Sequence, residues 1–176
     1  GCGTEFPMEE LRPPRKMSAV PLPPPPAEVL MKQLAFKLQV PQKCAVQALS
    51  MLPRKDVEDL GVLAAYLVAA CRYLKIPLYV KRVEKLLGER QRKKFYRTLA
   101  SLKVYPDVAT YARAVAHLAN GRIKELLQTA EEIKRRGFST PVAVAAAAVV
   151  LGADVNEVVK ALGVSKFAVK RAVRSV

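Results

Sequence analysis

The residues with most chemistry to offer stand at the end of the chain, where Lys166, Lys170, Arg171 and Arg174 recur at a spacing that gathers them on one helical face. Ser165 ahead of them can cap that helix, and Val169, Ala172 and Val173 supply its apolar side. Ammonium and guanidinium groups on an exposed helix donate hydrogen bonds to phosphates and base edges, and such a helix suits a major groove. The same pattern also fits an ordinary helical hairpin with a solvated basic face. A second and denser set runs from Lys81 to Arg97, with Lys81, Arg82, Lys85, Arg90, Arg92, Lys93, Lys94 and Arg97 against only Glu84 and Glu89. Each phosphate that such a stretch neutralises adds about 0.9 to the slope of log affinity against log salt. A solvated surface is again the other reading. Phe95 and Tyr96 beside these charges can stack on bases, although at least one is expected in the core.

Other chemistry is poorly served. His117 is the only histidine, flanked by Ala116 and Leu118, and reads as a partly buried packing residue. No nucleophile elbow, phosphate-binding glycine loop, metal motif or acid and base pair occurs, so an enzyme is not expected, nor a cofactor, nor a small-molecule substrate. The cysteines stand at 2, 44 and 71 without C-x-x-C spacing, so Cys44 and Cys71 read as reduced core residues and zinc is not expected. Lys and Arg number 30 against 15 Asp and Glu, a formal net charge of +15. That charge favours nucleic acid, an anionic membrane or an acidic protein as partner. The longest apolar runs, 62–71 and 141–151, are about half a bilayer span, and no signal pattern precedes them. A soluble, intracellular protein that does not enter membranes is the expectation.

The elements that position the cations are helices. Gly1 to Phe6 looks like a cloning remnant, and Arg12 to Pro26 (RPPRKMSAVPLPPPP) reads as a flexible tail of polyproline character, with an SH3-type ligand as the alternative. Helical periods then run over 27–38, from Pro41 to Leu52, over 56–74, 79–87 and 89–102, and again after Pro106 over 107–120, 122–136 and 141–151. The stretches 56–74 and 141–151 are Ala-rich and apolar on all sides, which marks them as buried. Val155, Val158, Val159 and Leu162 give the next helix an apolar stripe. Gly163 stands where a C-terminal cap needs positive φ, so 155–174 reads as a helix-turn-helix.

Superimposing Gly88 on Gly163 pairs VEKLLGERQRKKFYRTL with VVKALGVSKFAVKRAV, each preceded by an Ala-rich helix. That indicates an internal repeat, two copies of a five-helix unit of ~75 residues in an all-α chain. The expected division is a tail over 1–26, a first repeat over 27–103 and a second over 104–176.

AAYLVAACRYLKIP in the first half, LKVYPDVATYARAVAHLANG between the halves and PVAVAAAAVVLGADVNEVVKALGVSKFAVKRAV in the second carry a family likeness. The chain from Ala27 to Val176 resembles the core of archaeal transcription factor B and eukaryotic transcription factor IIB, which is two cyclin-like five-helix repeats. The resemblance implies an archaeal, nucleoid-associated cytoplasmic protein that binds double-stranded promoter DNA together with TATA-binding protein. It also implies that the last helix reads an element upstream of the TATA box, while the first repeat contacts phosphates and protein. The family's two main base-reading positions fall on Phe167 and Lys170, where members carry Val and Arg. Lys lacks the planar bidentate fork that Arg offers guanine. Family members also carry a zinc ribbon that recruits RNA polymerase; here a proline-rich tail stands in front, so a truncated or ribbonless relative is expected. The rival class is a cyclin-fold adaptor that binds proteins and not DNA.

Overall fold

The computed structural model describes residues 22–23 and 26–176; Cys2, the cloning-remnant reading and nearly all of the tail reading lie outside them. All regular structure among the described residues is helical. α1 (Pro26–Lys37), α2 (Gln42–Met51), α3 (Leu60–Tyr73), α4 (Val80–Glu84) and α5 (Glu89–Leu102) come first. α6 (Val108–Val115), which passes into a 3-10 turn over Ala116–Ala119, is followed by α7 (Ile123–Arg135), α8 (Thr140–Val150), α9 (Val155–Leu162) and α10 (Lys166–Val173).

Capping chemistry decides where several of these begin. α3 starts four residues later than its apolar period suggests, because the Asp59 carboxylate accepts from the N–H groups of Gly61 (2.8 Å) and Val62 (3.2 Å). An aspartate is worth more as a cap than inside a first turn. Asp107 does the same for α6, accepting from the Ala109 N–H at 3.1 Å. α2 stops at Leu52, which is extended (φ −64°, ψ 135°) as the residue before a proline tends to be. α4 is only one turn long, shorter than the expected 79–87. The helix expected over 107–120 breaks at Val115 (φ −119°) into the 3-10 turn. Three residues per turn keep Ala116 and Ala119 inward and leave His117 exposed, so it is not the packing residue its neighbours suggested.

Two apolar cores result. The first is built around α3, which packs on α1, α2 and α5 with Met31, Leu63, Leu67, Val83 and Phe95 fully buried. At its base the backbones of α3 and α5 touch: a Cβ on Gly61 would lie 2.3 Å from the Gln91 carbonyl oxygen. Cys44 and Cys71 are free thiols in this core, and burial pushes both their pKa values up. The second core surrounds α8, whose residues 143–148 are all fully buried against α6, α7, α9 and α10. Small side chains let four helices approach one axis.

The cores join through a narrow polar seam. Tyr79, just before α4, is packed in the second core with its ring 5.2 Å from that of Tyr111. The Tyr111 hydroxyl donates to the Leu78 carbonyl at 3.2 Å, and Arg72 Nη1 donates to the Val104 carbonyl at 2.9 Å. Lys75 pairs with Asp107 at 3.3 Å. Burial alone would raise the Asp107 carboxyl, but the Ala109 N–H, Lys75 and the Thr110 hydroxyl outweigh it and hold the group below its ordinary value.

Candidate nucleic-acid interface

α9 and α10 form a hairpin whose ends depend on three residues. Asp154 caps α9 by accepting from the Glu157 N–H at 3.0 Å. Gly163 ends it in the left-handed region (φ 65°), its N–H donating to the Val159 carbonyl at 2.8 Å. Ser165 then caps α10, its hydroxyl accepting from the Ala168 N–H at 3.3 Å. The glycine and serine readings from the sequence therefore hold in detail.

α10 is anchored by its apolar side, with Arg136 Nη1 donating to the Ser175 carbonyl just past its end. Val169 and Ala172 are fully buried against α8, and Val173 packs at the edge. Ser165, Lys166, Phe167, Lys170, Arg171 and Arg174 are all exposed. Phe167 stands 68% exposed, which takes it out of the core and onto the same face as the cations. Among the described residues none of these cations is in an ion pair; Arg171 instead lies over the Phe138 ring at 5.8 Å. Exposed, unpaired charges with their hydrogen-bond donors free are what a polyanion requires.

The first-half cations divide. Lys81 and Arg82 sit on α4 against the α9–α10 turn: a Cβ on Gly163 would touch Tyr79 (3.6 Å) and the Arg82 side chain (3.8 Å). Lys85 comes next on the exposed side. Arg90, Arg92, Lys93, Lys94 and Arg97 are exposed along α5, and four of them line a shallow cavity of about 350 Å³ with Asp59. Two of this set also serve the fold: Lys94 reaches the Asp59 carboxylate at 3.5 Å, and Arg92 Nε donates to the Glu84 carbonyl at 3.1 Å. Phe95 is fully buried, while Tyr96 is half exposed with its ring edge-on to Phe95 at 5.0 Å. The fold thus brings Lys81 and Arg82 to the hairpin and sets the α5 group apart around the start of α3.

Sequence reasoning missed the residues between the two cores. Arg72, Tyr79, Tyr111 and Thr140 line a cleft of about 310 Å³ together with Lys81, Gly163 and Ser165. The one available signal was Arg72, a cation in the last turn of an otherwise apolar helix. Among the described residues no group of three His, Cys, Asp or Glu side chains is placed to hold a metal ion, and no helix is long and apolar enough to cross a membrane. Compared with known proteins, the chain matches no protein-family model and no curated protein.

Proposed function

We propose that this protein is a DNA-binding regulator of the transcription-factor-B type, two cyclin-like five-helix repeats that act at promoters with TATA-binding protein. The observation that carries this reading is α10: an apolar side that anchors it and an opposite face of five exposed residues, four of them cations in no ion pair among the described residues. Two cores, each centred on an Ala-rich helix and each ending in a cationic helix, support the two-repeat plan. In this mechanism Lys81, Arg82 and the α5 cations hold the phosphate backbone and set the register, while Phe167 and Lys170 face base edges, the ring meeting a thymine methyl.

The test is fluorescence anisotropy of a duplex carrying a TATA box and its upstream flank, with and without TATA-binding protein, over a salt series. Tight binding that needs both the protein partner and the flank is expected. Replacing Lys170, Arg171 and Arg174 by Ala should weaken it at least about tenfold and lower the salt slope by up to about 0.9 for each phosphate that no longer meets a cation. Binding unchanged in that variant removes α10 from the interface. No binding even at low salt moves the reading to the cyclin-fold adaptor.

A further inference from the structure

The cleft between the two cores has features that phosphate-backbone contact does not use. Thr140, the first residue of α8, is only 4% exposed and lines this cleft, yet its hydroxyl has no hydrogen-bond partner among the described residues. Among the described residues Ser139 before it makes no side-chain cap, so the first-turn N–H of Val142, a residue also in the lining, has no capping side chain. Arg72 forms part of the wall. Its guanidinium holds Val104 through Nη1, and its Nε is the one fully buried side-chain nitrogen or oxygen without a partner among the described residues. Lys81 also lines the space, and among the described residues no acidic side chain does. These donors, a helix start and two cations converge on one volume, so the group they fit is an anion.

The rest of the lining narrows the ligand further. Val80, Pro106, Pro141, Leu162 and Val164 with the two tyrosine rings make the cleft mainly apolar, and its volume of about 310 Å³ is in the range of small-molecule sites. A bare phosphate would leave that surface in water. We propose that the cleft binds a small organic anion, a carboxylate on a flat apolar body, with the carboxylate at Thr140 and the α8 start, beside the Arg72 wall and Lys81. Ser165 and Ala168, at the start of α10, line the same space as Lys81 of α4, so an occupant touches α4 and α10 at once. Occupancy then shifts α10 against α4 and alters DNA affinity; that coupling rests on the DNA-binding reading, whereas the site itself does not.

1-Naphthoate is a suitable probe, titrated into the full chain by calorimetry beside its neutral counterpart 1-naphthalenemethanol and inorganic phosphate. The expected result is one naphthoate per chain, with the alcohol and phosphate each at least about tenfold weaker. Ala168→Leu, which fills the cleft, should abolish binding, and Thr140→Val, which keeps the side-chain shape, should weaken it several-fold with an unchanged thermal midpoint. Equal binding of naphthoate and the alcohol, equal binding of phosphate, or full binding by both variants overturns the site, as does no binding at millimolar naphthoate. Saturating naphthoate should also change the promoter anisotropy midpoint at least about threefold. Naphthoate bound with that midpoint unmoved removes the coupling, and naphthoate bound by a chain that never binds DNA removes the DNA reading while the site stands.

Discussion

The hairpins α4–α5 and α9–α10 each turn into a cationic helix, but they are built differently. Gly163 takes a positive φ that ends α9, and Ser165 caps α10. Gly88 has an ordinary φ of −74° and is itself the cap of α5, its N–H donating to the Gln91 side chain at 2.8 Å. The two glycines are therefore not equivalent: Gly88 holds the N-cap position that Ser165 holds on α10. The helices differ as well: α5 has 14 residues, buries Phe95 and uses Lys94 and Arg92 to tie itself to neighbours, whereas α10 has eight and among the described residues its cations make no ion pair. A charged helix that is bonded into its own fold has fewer donors left for a ligand. Under the proposed DNA-binding reading, the shorter helix is the one that meets base edges.

Truncating the two anchors separates the hairpins most strongly. Phe95→Ala should cost about 3–5 kcal/mol, since a fully buried ring leaves a cavity between α5 and α3, while Val169→Ala under α10 should cost about 2 kcal/mol. Urea melts of the two variants check this, and equal losses would mean α10 is held as firmly as α5. The glycines come next. Gly163→Ala forces a side chain into the left-handed region at about 1–2 kcal/mol, whereas Gly88→Ala, with its nearest neighbour 3.7 Å away, should cost about 0.5 kcal/mol. Similar thermal midpoints for the two would restore their equivalence.

The gentlest probe is pH, acting at the seam that joins the hairpins. Burial first, then the neighbouring Tyr111, raise the Tyr79 phenol to about 12 against the opposing pull of Arg82. An ordinary tyrosine ionises near 10. The folded protein thus keeps a proton that the unfolded chain gives up, so this contribution is complete below about pH 10 and is lost as pH climbs toward 12. Urea midpoints between pH 9 and 12 should fall across that window, and less steeply in Tyr79→Phe; identical slopes would mean the phenol is not buried at the seam.

Much of the architecture is legible in the sequence because it is local. Ser165 capping α10, the left-handed Gly163 and the all-buried 143–148 run each depend on residues within a turn or two, and short-range sterics and hydrogen bonds determine them. The exposed face of α10 comes from the same spacing. The role of Gly88 is not legible in the sequence because a glycine serves either end of a helix, and only its dihedral angles tell which. What the tertiary structure alone decided is the meeting of distant residues: Tyr79 beside Gly163, Arg72 donating to Val104, and Thr140 lining the cleft between them. Periodicity assigns each residue a side of its own helix, but it carries no information about which other helix that side will face.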